Sequence, residues 1–437
     1  MSLDPVQHYL SEYAGKANAA NWLAQQQEQA IGLLRSKGFP TRRMEDWKYT
    51  DVQPLLKQSF RFLGKPTASA DVDKTLGQIQ DLDCYRLIFV NGRFVSGNLP
   101  AGTGVSVHSL QQALSANNPL LPSHLNRYTA PGKNPFSDLN TAFMQDGCVM
   151  ILADKVILDK PLNLVYLSGH QDAPVASCPR NLLLLGKQAQ AIVIETYAGA
   201  DQLDYFTNSV TEICLEQGAS LEHYKLQQEG SLACHIGNLQ VEQKRDSRLV
   251  SHSISLGGKL VRNDIEVRLT EPGAHTVLNG LYMAANSQHV DNHTRIDHLC
   301  PHTSSNQTYR GVLSGRARGV FNGKVIVHKD AQKTSAHQSN ANLLLSNDAE
   351  IDTKPELQIF ADDVKCSHGA TVGQLDENML YYLRTRAIPE DLARSLLTFA
   401  FAGDVISRIA LEPVRRLLQQ RVLGQLPDAD TIREFIG

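Results

Sequence analysis

Lys187-Gln188-Ala189, Gln217-Gly218-Ala219, Arg245-Asp246-Ser247, Pro272-Gly273-Ala274 and Pro301-His302-Thr303 punctuate one long stretch of the chain. From Gln188 to Gln217, Arg245, Pro272 and Pro301 the steps are 29, 28, 27 and 29 residues. Between the triplets lie short runs of β-branched, aliphatic and aromatic residues: Ala191-Ile192-Val193-Ile194-Glu195, Thr211-Glu212-Ile213-Cys214-Leu215 and Ser220-Leu221-Glu222-His223-Tyr224. A strand–turn–strand unit repeating every ~28 residues is the pattern of a solenoid, whose coils bury their apolar faces only by stacking. A β-sandwich is the competing all-β solution, but it calls for turns about every 8–12 residues. The longer period predicts a mainly β protein built on a parallel β-helix or β-solenoid.

Strand-like sequence extends on both sides of this stretch, from Val149-Met150-Ile151-Leu152 to Ile351–Phe360, and helical periodicity is nearly absent from 147 to 375. Upstream, Cys84–Val95 reads as a β-hairpin. Its two β-rich arms flank Asn91-Gly92, a pair that tolerates the positive φ of a type I′ turn. Residues 96–140 read as a connector with a short helix near Leu110–Leu114, and residues 3–37 as helical, stopped by Gly38 and Pro40. Beyond Gly373 the 3.6-residue period returns. Asp376 is placed to cap one helix, and Pro389 to open another carrying two apolar stripes, one with Leu392, Leu396 and Phe399 and one with Leu397 and Phe401. Two stripes mean a helix covered on more than one side, by its own domain or by a partner. The predicted organisation is a helical region at 1–82, hairpin and connector at 83–146, a β-helix at 147–375 and a helical domain at 376–437.

The 437 residues carry 20% charged side chains and a net charge of −3, a composition that gives no support to a nucleic-acid binder. No window reaches the ~18 apolar residues of a membrane helix. Met1–Pro5 has neither the charged nor the apolar segment of a signal peptide, and the seven cysteines form no C-x-x-C pair. Together these features predict reduced thiols and a cytoplasmic location. Motifs of nucleotide hydrolysis, dinucleotide binding, zinc proteolysis and serine hydrolysis are absent.

The densest chemistry lies where strand gives way to helix, in Asp362-Asp363-Val364-Lys365-Cys366-Ser367-His368-Gly369. In an extended chain, Cys366 and His368 fall on one face and Ser367 on the other. Thiolate and imidazole suit transition metals and iron–sulfur clusters, but two ligands make half a tetrahedral site. The plainer reading is a half-buried thiol beside a surface histidine. A second cluster, His289-Val290-Asp291-Asn292-His293, reads as a polar ladder on the solvent face of the β-helix rather than a metal site.

The segments Phe39–Thr50, Ala349–Leu357, Ala361–Gly373 and Tyr382–Arg386 resemble the SufB/SufD family, components of the SUF iron–sulfur cluster assembly scaffold. Cys366-Ser367-His368-Gly369-Ala370-Thr371, where SufB-like sequences carry a Glu-Ala-Thr-type motif, sets the chain on the SufD side. So does the lack of an N-terminal cysteine cluster. The resemblance implies a right-handed parallel β-helix core with helical N- and C-terminal regions, and a non-catalytic scaffold subunit that pairs with SufB through the β-helix and docks the SufC ATPase through the C-terminal helices. The five residues Leu392, Leu396, Leu397, Phe399 and Phe401 are the candidates for that docking face. It implies that His368, with Cys366 close by, shares a transient Fe–S cluster with a cysteine of SufB, fed by the sulfur-transfer proteins of the pathway. It further implies ATP-driven opening of the interface, association with reduced flavin at no assigned residue, and self-pairing as a homodimer when SufB is absent. Two other readings stand beside it: a homodimeric metal-binding β-helix acting alone, and a β-helix enzyme acting on polysaccharide.

Overall fold

The computed structural model describes residues 5–13, 21–62, 82–427 and 429–436, and at residues 5, 21 and 434–436 the backbone alone. Residues 1–4, read for a signal peptide, lie outside the described residues. So do 14–20 of the predicted N-terminal helix, 63–81 of the N-terminal region and the side chains of Phe435 and Ile436.

Successive strands go alternately to two sheets and pair in parallel with the strand two places on, which makes a β-solenoid of about eight turns. Gln190–Gly199 lies between Leu162–Ser168 and Ser220–Gln228 in the first sheet, and Tyr205–Leu215 lies beside Cys234–Gln243 in the second. The triplets that set the period are its corners. Their middle residues are left-handed, with φ of 59° at Gln188, 69° at Gly218, 55° at Asp246, 78° at Gly273 and 58° at His302. Each corner donates a backbone N–H to the next: Gln188 to Gln217 at 2.8 Å, Gly218 to Arg245 at 2.8 Å and Asp246 to Pro272 at 3.1 Å. The third residue of every triplet is small because it is tucked inside the corner; Ala189, Ala219, Ser247, Ala274 and Thr303 are all buried.

The sheets begin earlier than residue 147. The hairpin pairs Tyr85–Val90 with Arg93–Asn98, and Tyr85–Val90 is itself a parallel neighbour of Leu162–Ser168. Asn91 and Gly92 both have positive φ, as the dipeptide predicts. Val105–Ser109 likewise caps the second sheet against Cys148–Leu152, and Ser109 opens the predicted short helix Leu110–Ser115 with a capping box. The connector also holds two helices that its periodicity conceals, the short Leu121–His124 and Pro135–Phe143, the latter buried along its whole length. Three of its four polar side chains, Asp138, Asn140 and Thr141, have hydrogen-bond partners. Asn140 donates to the carbonyls of Pro179 and Asn208, and Asp138 accepts from the N–H of Gly132. Beside it Arg180 pairs with Glu212 at 2.7 Å, both fully buried.

Helices cover the outer face of each sheet. On the second sheet Tyr9, Leu34, Trp47, Phe60, Phe136 and Phe143 pack over Phe206, Ile236 and Leu260. On the first, the helices Glu390–Ile406 and Glu412–Leu423 lay Ala402, Val405, Ile406, Val414 and Leu418 over Tyr224, Ile254, Leu281 and Val312. Strands covered on both faces lose the polar alternation, which is why Asn181–Leu185 reads as a continuous apolar run.

His252 lies in this second contact, stacked 5.0 Å from the Tyr224 ring, with both ring nitrogens lacking a hydrogen-bond partner. Burial, with nearby His223 and Arg408, pushes it down to about 4. The folded state therefore binds fewer protons than the unfolded chain between the ordinary histidine value and about 4. The stabilisation is complete above the ordinary value and is lost as pH falls through that window. A depression of this size below the ordinary histidine value corresponds to on the order of 3 kcal/mol. His252→Phe, which keeps the stacking, is expected to flatten the fall in urea-unfolding stability between pH 6.5 and 4. Some slope remains from His298, also lowered to about 4. An unchanged pH profile would remove His252 from the effect.

Candidate metal half-site at the open end of the solenoid

Glu350–Ile359 and Lys365–Gly373 are the last strands of the two sheets, each paired on one side only, with Arg318–Val327 and Ser335–Leu344. Register decides what they present. Cys366 is level with Ala336 and His368 with Gln338, both buried inward-facing residues, while Ser367 is level with the exposed His337 and meets its Nδ1 at 2.8 Å. The Cys366–His368 pair thus shares the inner face, as the i, i+2 spacing predicts. Among the described residues no further coil lies over it, so an inner face that elsewhere is core is here open: His368 is exposed and Cys366 half-buried in the cluster that holds Leu357 and Ala336.

Burial pushes the Cys366 thiol up, and a backbone hydrogen bond at Ala336 only partly opposes this. The sulfur is then a protonated thiol at neutral pH in the isolated chain, and a bound metal is what converts it to thiolate. Five of the seven cysteines are buried, and of the two half-buried ones Cys300 already points its sulfur at the Thr270 carbonyl, 2.9 Å away. Among the described residues no group of three or more His, Cys, Asp or Glu stands close enough to hold a metal, so Cys366 and His368 remain a two-ligand set. Exposed apolar side chains lie on the same two strands and the turn between them: Ile359, Phe360 and Val372 are 42%, 63% and 47% exposed.

The His289–His293 segment corrects one expectation. Its outward face is not solvated. Asp291 is buried and receives Thr50 Oγ1 at 2.5 Å and Arg262 Nη1 at 2.7 Å, while His289 meets Thr50 at 2.8 Å. The Arg262 guanidinium also stacks 3.7 Å from the Trp47 ring and binds the Asp46 carbonyl. The aromatic and charged turn of Gly38–Asp51 is a clasp closed over the second sheet. It reaches the last coil through Glu45, paired with Lys354 at 2.7 Å.

The five candidate docking residues separate. Leu392 is buried against Leu423 and Ile432, and Leu396 and Phe399 pack partly on the same cluster. Phe401 lies partly against the solenoid, under the Arg310 guanidinium, and Leu397 is half-buried. Sequence reasoning predicted the preceding helix, Glu377–Arg384, but passed over its exposed face, where Met379, Tyr381 and Tyr382 are 56%, 69% and 55% exposed. Their mixed polar setting hid them, but Met379, Tyr382 and Arg386 recur at helical spacing, and Arg386 stacks on Tyr382 at 4.2 Å. Asp376 caps this helix through the N–H of Asn378, as predicted. The next helix opens at Glu390 with Pro389 as its N-cap, one residue later than expected.

Residues 166–401 match the family model described as SUF system FeS cluster assembly, SufBD core domain, and residues 8–164 match the SufBD protein N-terminal region. The chain belongs to the SufBD family of iron–sulfur cluster assembly proteins. Within that family it is a SufD homologue, 31% identical to the iron–sulfur cluster assembly protein SufD of Escherichia coli over 96% of both chains. It is also 33% identical to a SufBD family protein of Synechocystis over 92% of this chain and 90% of that one. Identity to the SufB protein of Bacillus subtilis is 22%, over 89% of this chain and 82% of that one.

Proposed function

We propose that the chain is a non-catalytic scaffold subunit of a SUF complex, pairing with a SufB-type partner through the open end of its solenoid. A nascent Fe–S cluster forms there as cargo, with His368 and Cys366 on this side and the remaining ligands on the partner's side. The observation that carries this is the unclosed last coil. It leaves Cys366 and His368, the exposed Ile359, Phe360 and Val372, and two unpaired strand edges on the last two strands. Unpaired edges are templates for another chain's strands. A solvent-exposed two-ligand set is suited to a cluster that is built and handed on rather than kept.

The C-terminal helical domain is the docking site for a SufC-type ATPase. Tyr381, Tyr382 and Met379 supply its exposed apolar surface, and Leu396, Leu397, Phe399 and Phe401 supply what their own packing leaves accessible. The helix Glu377–Arg384 follows directly from the strand bearing His368, so movement of a docked ATPase dimer is transmitted to the open end. All seven cysteines are free thiols, in keeping with a reducing compartment such as the cytoplasm. Among the described residues no helix is long and apolar enough to cross a membrane.

His368→Ala is expected to leave the three-protein complex assembled on size exclusion while cluster build-up in anaerobic reconstitution, followed by visible absorption, falls to a small fraction of wild type. Wild-type cluster yield would end the ligand role. The chain purified alone with stoichiometric, tightly held iron or zinc would favour a self-sufficient metal protein instead.

A further inference from the structure

We propose that Gln338 is the positioning residue for His368: its side-chain carbonyl takes one ring N–H of His368, leaving the lone pair of the other ring nitrogen for a ligand at the open end. The proposal deepens the ligand reading of His368 and rests on it for its functional meaning.

The two residues are register partners on adjacent strands, both on the inner face. Neighbouring strands stand about 4.8 Å apart, within reach of a side-chain hydrogen bond. Gln338 is completely buried. Its Nε2 donates to Gln307 Oε1 at 2.8 Å, and Gln307 Nε2 donates in turn to Thr294 Oγ1. The amide is wedged against the second sheet at Gly323, where even a Cβ atom would lie 1.9 Å from Gln338 Nε2. This ladder engages the nitrogen of Gln338 and leaves Oε1 as a buried acceptor with no donor. An unmet buried acceptor costs free energy that a hydrogen bond recovers. The inward residues next below Gln338, Gln307, Leu278 and Ser251, are buried, whereas the next rung outward carries His368, an exposed side chain with an N–H to give. Metal-ligating histidines characteristically donate their second ring nitrogen to such an acceptor, which sets the tautomer.

The test is the tautomeric state of His368 in the full-length chain, read from long-range proton–nitrogen correlations of 15N-histidine-labelled protein at a pH where the ring is neutral. The signal is assigned by its loss in His368→Gln. One tautomer is expected to dominate, with the bias falling on the order of tenfold in Gln338→Met, the worth of one hydrogen bond. Gln307→Met, one rung lower, frees the Gln338 amide to turn and is expected to weaken the bias without touching His368. Circular dichroism of both variants checks the fold. A mixed population in wild type, or the same ratio in wild type and a folded Gln338→Met, overturns the proposal. Because the measurement uses no metal, a locked tautomer together with wild-type cluster yield in His368→Ala would sink the ligand role and leave the positioning role standing.

Discussion

Replacing Phe360 and Val372 together by aspartate is expected to leave this chain folded and to abolish its pairing with a SufB-type partner. The two side chains are 63% and 47% exposed, so neither contributes much to the isolated fold. Surface substitutions of this kind cost within about 0.5 kcal/mol, and the thermal midpoint should move by no more than a few degrees. At an interface the same atoms count differently. Burying two charges where an aromatic and an aliphatic anchor had been removes the apolar contacts and leaves the carboxylates desolvated without partners. An anchor of this type is worth about 2 kcal/mol or more, and each 1.4 kcal/mol is tenfold, so affinity should fall by roughly two orders of magnitude or more. Titration calorimetry with a purified SufB-type protein reads this directly. Wild-type affinity in the folded double variant would remove the open end from the interface. The result also separates pairing from ligation, because His368→Ala is expected to lose the cluster while keeping the complex.

The second large effect concerns stability. Arg262→Met should destabilise the fold by about 3–5 kcal/mol and loosen the N-terminal clasp, because it leaves buried carboxylates without their counter-charge. Arg262 binds Asp264 through two nitrogens, at 2.8 and 3.0 Å, and Asp291 at 2.7 Å. Burial works to raise the Asp291 carboxyl, but His293 and Arg262 outweigh it and hold the group well below the usual carboxylate range. Methionine keeps apolar contact with Trp47 but supplies neither charge nor donors. Urea unfolding should report the loss, and Trp47 emission should shift to the red as the clasp opens. Adding Asp291→Asn is expected to recover part of the loss, since one of the stranded charges is then gone. An unaltered unfolding midpoint together with unaltered emission in Arg262→Met would show that the clasp does not depend on this pair.

The periodic and local features were legible in the sequence. Corner triplets must reverse the chain with a left-handed residue and tuck a small one inside, so their spacing announced the coil length before any strand was assigned. Asn91-Gly92, Gly38 and Asp376 were equally readable, because turn and cap preferences act within a few residues. Side-chain alternation put Cys366 and His368 on one face for the same reason.

Coverage was not legible. Nothing near His289-Val290-Asp291-Asn292-His293 tells that Thr50 and Trp47, more than 200 positions earlier, shut it away from water. The helix Pro135–Phe143 can bury its polar residues because backbone carbonyls and Arg180, supplied from distant coils, meet Asn140 there. Apolar stripes marked both faces of Glu390–Ile406, yet which stripe is spent on the chain's own packing depended on where Leu423 and Ile432 lie. The sequence by itself determined the solenoid, its corners and the Cys–His face, since those follow from short-range backbone and periodicity constraints. Only the tertiary structure decided that this face is left open at the last coil and that Tyr381 and Tyr382, rather than Leu392, meet solvent. Burial is a property of what packs from elsewhere in the chain, and no local pattern encodes it.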